Sequence, residues 1–196
     1  MCGRYGLIED KQTIAEAFCA QVEDDVRIDF PPSYNIAPQS FQPVIRLDSE
    51  TGGRELTVMR WGLVPHWAKD AKMAFNTINA KAETVTTSPT YREPMRRRRC
   101  LVPADFFFEW KKLDAKTKQP YAIAMKDAEL FAFAGLWDSW KDKETGKALE
   151  SYTVITTDPN ELMKPIHNRM PVILHRQDYD KWLSPGDNHQ IGRAHV

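Results

Sequence analysis

The most reactive combination open to this sequence lies at its start, in Met1-Cys2-Gly3-Arg4. While Met1 is attached, the Cys2 nitrogen is an amide and is not nucleophilic. Loss of Met1 makes Cys2 a 1,2-aminothiol, with amine and thiol two carbons apart on one residue. Such a pair attacks an aldehyde twice: the amine gives an imine, and the thiol then closes a five-membered thiazolidine that outlasts a simple Schiff base. Both groups titrate near neutrality, the amine at about 8 and the thiol at about 8.5. Roughly a tenth of the amines and a few per cent of the thiols are therefore reactive at pH 7 before any tuning, and Arg4 is placed to raise the thiolate fraction. The alternative reading of Cys2 is a small apolar residue opening a strand, since free cysteines are mostly buried and inert.

Three more positions could take part in proton transfer or positioning. Glu109 sits in Phe106-Phe107-Phe108-Glu109-Trp110, where desolvation would raise its pKa and make it a general acid near neutral pH. Strand alternation allows the opposite, with Glu109 facing solvent or pairing with Lys111 or Lys112. His167, followed by Asn168 and Arg169, could donate a proton or orient a sugar oxygen, although a lone histidine is more often structural. Asn79 offers donor and acceptor in one planar group, useful for holding a substrate but equally ordinary in a buried turn. Trp67 and Trp110 could stack on nucleic-acid bases at about 1–3 kcal/mol each or simply fill the core.

These residues need elements to position them. Residues 1–8 read as a short strand and 10–22 as a helix, with Asp10 as N-cap, Ile14, Phe18 and Val22 on one face, and Cys19 packing beside that stripe. Residues 31–38 (PPSYNIAP) are too proline-rich for regular structure and read as an ordered loop. Strands over 43–47 and 55–61 form a hairpin across Asp48 to Gly53. The segments RWGLVPHW (60–67) and FNTINAKAET (75–84) lack a clean period and should line a site rather than fill a core. A short helix is expected from Ser88-Pro89 toward the arginines. Strands follow at 100–103, 105–112, 120–126, 130–138 and 151–157, with a hairpin turn over 142–147. A short helix from Asp158-Pro159 to Lys164, a strand at 172–174 and a last helix over 177–183 complete the series. Eight or nine strands with three or four short helices define an α+β protein: a single domain whose antiparallel-dominated sheet curls into a barrel-like form.

Composition narrows the class. In 196 residues, 42% hydrophobic and 28% charged, there is no apolar run long enough for a membrane span and no basic-then-apolar leader, so a cytoplasmic setting is expected. Cys2, Cys19 and Cys100, an odd number without CxxC spacing, argue against a disulfide framework and a zinc site. Net charge is zero, yet residues 60–118 hold 13 Lys and Arg against 6 Asp and Glu. That excess suits a polyanion, with Arg96-Arg97-Arg98-Arg99 its densest part, though a charge run is usually a solvated face. The final Gln190 to Val196 back-translates as CAG ATC GGA AGA GCA CAC GTC, resembling sequencing-adapter read-through. The expectation is a domain over 1–189, a non-native tail over 190–196 and a natural chain that continues further. Resequencing the gene across this junction tests it.

Taken together, MCGR at the start, YNIAP at 34–38, RWGLVPHW, FNTINAKAET, RRCLVPADFFFEW at 98–110 and HNRMPVIL at 167–174 resemble the SRAP family, the SOS-response-associated peptidases, in collinear order over most of 1–183. The resemblance implies an abasic-site processing protein that caps abasic sites in single-stranded DNA through a thiazolidine at the mature N-terminal cysteine. It implies Cys2 as nucleophile and Asn79 as the residue positioning the opened sugar and the N-terminus. It makes Glu109 the acid/base for ring opening and cross-link reversal, and His167 the stabiliser of the sugar oxygen. Arg4, Asn35, Trp67, Lys81 and Arg169 become DNA contacts. No cofactor or metal is implied. The expected partner is abasic single-stranded DNA bound by a monomer, with no membrane and, in a bacterium, association with the nucleoid.

Two features depart from that family. Its INAR arginine is Lys81 here, which keeps the charge but loses the bidentate phosphate fork. The family also continues with a final strand-forming segment beyond this chain. Two other functions remain open on the residues alone: an N-terminal-nucleophile cysteine peptidase, which would turn over peptides without DNA, and a non-covalent single-stranded nucleic-acid binder, which would show salt-sensitive binding and no covalent product.

Overall fold

Asp and Gly mark the two turns around which the frame is built. Asp48 accepts the Glu50 amide at 2.8 Å and the Thr51 hydroxyl at 2.8 Å, and Gly52 takes the positive φ of 69° that closes the turn. Asp142 does the same for Glu144 and Thr145, with Gly146 at φ 70°. The computed structural model describes residues 2–22 and 30–186; Met1 and the expected tail over 190–196 lie outside the described residues.

In chain order the elements are β1 (Tyr5–Leu7), α1 (Lys11–Phe18), β2 (Gln21–Val22), β3 (Ser33–Ile36), β4 (Phe41–Leu47), β5 (Arg54–Trp61), a 3-10 turn over Ala71–Phe75, β6 (Asn79–Lys81), α2 (Arg92–Arg97), β7 (Arg99–Ala104) and β8 (Phe106–Lys112). Then come β9 (Lys118–Ala124), β10 (Phe131–Lys141), β11 (Ala148–Thr157), β12 (Met170–Pro171), β13 (Ile173–Leu174), a 3-10 turn over Arg176–Asp178 and α3 (Tyr179–Leu183). The hairpins β4–β5 and β10–β11 join through β7, and a parallel pairing of β5 with β11 (Arg60 with Ser151, Trp61 with Tyr152) closes five strands into a barrel. A second, four-stranded sheet, β3-β1-β8-β9, packs beside it. The α+β, curled, barrel-like architecture expected from the sequence is the one found. No helix among the described residues is long and apolar enough to cross a membrane.

The two sheets are one chain path with a corner in it. At Asp105 the backbone leaves the barrel strand β7 and enters β8 of the second sheet. The nearly buried Asp105 carboxylate accepts the Ile8 amide at 2.6 Å, while its own amide donates to Gly6 at 2.9 Å. Tyr5 of β1 then points into the barrel, edge-on to Trp61 and Phe133 at 5.3 and 5.8 Å, and its hydroxyl meets that of Tyr152 at 2.8 Å. Burying a ring of that size stabilises by about 1.5–3 kcal/mol, and the paired hydroxyls remove the cost of leaving either one dry. The N-terminal segment is thereby anchored to the core three residues after Cys2.

Several local expectations give way to tertiary structure. The first helix keeps its Asp10 cap, which accepts the Thr13 amide at 2.8 Å, and buries Ile14 and Phe18, but it ends at Phe18 rather than Val22. Cys19 adopts φ 49°, Arg54 caps the Phe18 carbonyl at 2.7 Å, and Gln21–Val22 pairs with β5 instead. Cys19 is exposed rather than packed. Residues 33–36 are a strand, not a loop: the two prolines lie just before it, where they cost no ladder hydrogen bond, and β1 needed a partner. Helix α2 starts at Arg92, because the Ser88 carbonyl accepts Tyr91 and Arg92 amides in a turn and Tyr91 provides no side-chain cap. Residues 161–166 form turns rather than a helix, as Pro165 has no amide to continue one. Within RWGLVPHW, Trp61, Leu63 and Val64 are core residues, so only its end reaches the surface.

The arginine run is only half a solvated face: Arg96 and Arg97 are exposed, whereas Arg98 and Arg99 turn inward. Arg99 is 4% exposed and donates to the carbonyls of Met95, Trp182 and Ser184, clamping α3 to β7. Arg98 pairs with the buried Asp138 at 3.3 Å. Gly62 holds the junction between β5 and the following loop, with φ 116° and a hypothetical Cβ only 2.5 Å from the Ala74 carbonyl oxygen. Gly62→Ala is expected to destabilise by about 1–3 kcal/mol, read as a lower midpoint in chemical denaturation at unchanged slope. An unchanged midpoint would contradict this packing.

Candidate active site

Four residues that the sequence scatters over more than 160 positions are linked around the N-terminal segment. Cys2, fully buried, enters β1 with its thiol 4.0 Å from the Arg4 carbonyl. Its own carbonyl accepts the Asn79 side-chain amide at 2.9 Å. Asn79 is held by β6, which pairs in parallel with β11 (Asn79 with Val154), and by the Tyr91 hydroxyl, which donates to the Asn79 carbonyl at 3.3 Å. The Asn79 Oδ1 is buried and has no hydrogen-bond partner among the described residues. An amide oriented by its nitrogen thus presents a dry acceptor beside the N-terminal segment.

Glu109 answers the ambiguity of its aromatic run. Phe107 and Glu109 take the inward positions of β8, and Glu109 is 1% exposed. It does not face solvent. His167 follows the 161–166 turns, its Nε2 lying 4.0 Å from Glu109 Oε2. The Arg169 amide donates to His167 Nδ1 at 3.1 Å, leaving the proton of a neutral ring on the nitrogen that faces Glu109. The Arg169 carbonyl is also 3.1 Å from Nδ1 and can accept from it when the ring is charged. The loop can therefore partner His167 in either protonation state.

The electrostatics differ from the sequence-based expectation for Cys2. Burial, and secondarily the Glu109 carboxylate, push the thiol well above its ordinary value. The Arg4 guanidinium is not among the groups that offset this; its Nη1 donates to the Gly3 carbonyl at 2.8 Å. The sulfur is held as a thiol within the field of the Glu109 carboxylate. Among the described residues no group of three or more His, Cys, Asp or Glu side chains is gathered to hold a metal ion.

The five residues expected at the DNA differ in exposure and in partners. Asn35 and Lys81 are exposed, and Trp67 is 49% exposed. Arg4 is half-buried. Arg169 is committed elsewhere in the protein: it grips Glu83 with two hydrogen bonds of 2.8 and 3.0 Å, and also reaches Asp158 at 3.0 Å and the Thr156 carbonyl at 2.7 Å. Arg169, with Lys81 a smaller contributor, holds Glu83 below the usual carboxylate range. Sequence reasoning missed Glu83 and Asp158 as partners of Arg169, and Tyr91 as the support for Asn79. Glu83 lies inside the FNTINAKAET segment, but nothing local couples it to a residue 86 positions away.

These features mark a class: a small β-barrel protein whose second residue is a cysteine bonded to a distant asparagine and within the field of a buried glutamate that a histidine approaches. A family model described as SOS response associated peptidase (SRAP) matches residues 1–195, and the chain belongs to that family. It is 45% identical over 186 residues to the abasic site processing protein YoqW of Bacillus subtilis (strain 168), covering 94% of this chain and 81% of that protein. It is 36% identical over 186 residues to the abasic site processing protein HMCES of Xenopus tropicalis, covering 81% of this chain and 55% of that longer one. A crystal structure of a protein from Bacteroides thetaiotaomicron superposes with a TM-score of 0.84 at 33% identity, covering 94% of this chain and 82% of that one.

Proposed function

We propose that this protein processes abasic sites in single-stranded DNA by forming a covalent thiazolidine through Cys2 after Met1 is removed. The observation that carries the reading is the linkage of Asn79 and Glu109 to Cys2, with His167 beside Glu109. Names borne by its relatives, abasic site processing proteins of bacterial and vertebrate origin, support the substrate class.

The chemistry follows from the groups present. An abasic deoxyribose is mostly a closed hemiacetal, and Glu109 or His167 protonates its ring oxygen to release the aldehyde. The Cys2 amine adds to the carbonyl carbon and one water leaves, giving the imine. The thiol sulfur then adds to the imine carbon; its proton passes, by way of Glu109, to the nitrogen. Asn79 holds the Cys2 carbonyl through this sequence and offers its free Oδ1 to the amine, so that proximity replaces a bimolecular encounter. A self-directed cleavage of the Met1–Cys2 bond and removal by a cellular aminopeptidase both supply the amine. Mixing the Met1-free protein with an abasic single-stranded oligonucleotide is expected to give a band that survives heat and SDS, absent with undamaged DNA. A peptide-hydrolysing activity without any such band would favour the peptidase reading instead.

The ion pairs of Arg169 give this proposal a further consequence. As a phosphate contact Arg169 must share its guanidinium with Glu83, so Glu83→Gln is expected to tighten single-stranded DNA binding about two- to fivefold, the scale of an exposed ion pair. The slope of log affinity against log salt should steepen by about one. Weaker binding by that variant, measured by anisotropy across a salt series, would mean that Glu83 orients Arg169 rather than competing for it.

A further inference from the structure

With Phe107 and Glu109 turned inward, alternation sends Phe106, Phe108 and Trp110 to the other face of the four-stranded sheet, where each is partly exposed. Their rings form a row, 5.4 Å between Phe106 and Phe108 and 6.4 Å between Phe108 and Trp110. Tyr34, 67% exposed, extends the row onto β3 at 6.4 Å from Phe106. The neighbouring strand leaves the rings uncovered: Ala124, Ala122 and Pro120 of β9 stand opposite Phe106, Phe108 and Trp110, and all three are exposed. On the other side the Phe106 ring lies over Gly6, where a Cβ would come within 2.1 Å of it. A folded chain that leaves a row of four rings partly open beside small residues has built a platform, not a core.

Charge and polarity around the row favour one occupant. Tyr5 pairs with Ile36 but Leu7 with Ser33, so a bulge places both Tyr34 and Asn35 opposite Gly6, and both are exposed. The Phe108 amide donates to the Arg4 carbonyl at 2.9 Å, and Arg4, next to the inward Tyr5, falls on the outer face. Beyond Trp110, Lys112 continues the outer face of β8 opposite Lys118 of β9, and the turn between them adds Lys116 against Asp114 alone. Rings that accept any base, flanked by cations and an amide, suit an unpaired polynucleotide better than an apolar protein partner.

We propose that Tyr34, Phe106 and Phe108 form a base-stacking track for unpaired nucleotides, a single-stranded nucleic-acid surface on the face of the sheet opposite Glu109 and additional to the Cys2 pocket. That the strand it holds is the one carrying the abasic site rests on the function proposed above; the stacking itself does not. The test is fluorescence anisotropy of the full chain with undamaged, labelled oligothymidylates of about 4 and about 16 nucleotides. Phe106→Ala and Phe108→Ala are each expected to weaken binding of the longer oligonucleotide about 5- to 100-fold, with Phe108→Tyr restoring it. Tyr34→Ala, at an exposed position that folding does not need, should lose affinity on the same scale and covers the case in which a β8 variant fails to fold. Wild-type affinity for the longer oligonucleotide in Tyr34→Ala and in any folded β8 variant would overturn the proposal. So would sedimentation of the wild type as a dimer that these variants split, since the face would then join two copies of this chain. Because the probe is undamaged, failure of covalent trapping on abasic DNA would remove the thiazolidine reading and leave this result standing.

Discussion

Cys2→Ser is expected to abolish the heat-stable adduct with abasic single-stranded DNA while leaving an imine that borohydride can trap. The α-amine survives the substitution, so the first bond still forms; what is lost is the sulfur that closes the ring. A drop of about a hundredfold or more in stable product is a small fraction of the effective molarity, about 10⁵ M or higher, available to a well-placed intramolecular nucleophile. Protein that retains Met1 should fail earlier, giving neither imine nor thiazolidine, because its Cys2 nitrogen is an amide. Serine and Met1-retaining proteins therefore separate the two bonds. Equal amounts of stable adduct from Cys2→Ser and wild type would rule out ring closure by the thiol.

The second large effect is expected at Glu109. Glu109→Gln preserves the shape of a side chain buried among Phe107 and the Cys2 segment, so the fold should persist, but it removes a group that can both give and take a proton. Cross-link formation should slow by about 10²–10⁴-fold, the usual contribution of a positioned acid or base, with the reverse reaction slowed as well. His167→Asn should cost less if the histidine assists rather than initiates ring opening. Single-turnover time courses at saturating DNA read this directly, since a loss of binding alone would vanish at saturation. A saturated rate in Glu109→Gln within a factor of two of wild type would assign the proton transfer elsewhere.

Much of this fold is written locally. The Asp48 and Asp142 turns announce their hairpins because one carboxylate can tie two successive donors, an amide and a hydroxyl at Asp48 and two amides at Asp142, and a glycine can take the positive φ. Where a segment's outcome depended on a distant partner, local reading failed. Gln21–Val22 left the helix for β5, Ser33–Ile36 became a strand because β1 offered an edge, and Arg99 turned inward because the end of the last helix supplied two carbonyls and α2 a third. The site shows the same division. Residues 2, 79, 109 and 167 could be singled out from motifs, and alternation alone allowed Glu109 either face. Its inward position follows from β8 pairing with β1 on one side and β9 on the other, with Phe107 meeting Phe133 at 5.9 Å across the sheets. The commitment of Arg169 to Glu83 and Asp158 is a fact of three loops meeting, and no spacing in the sequence encodes it.

The central claim is that the α-nitrogen and sulfur of one residue, Cys2, both end on the former aldehyde carbon of an abasic site. Peptide mapping of the purified adduct by mass spectrometry tests it most directly. The predicted result is a modified N-terminal peptide that begins at Cys2, lacks Met1 and carries the sugar remnant with the loss of one water. That peptide should resist both thiol alkylation and amine labelling. A remnant on a lysine, or an adduct peptide that still begins with Met1, would contradict it.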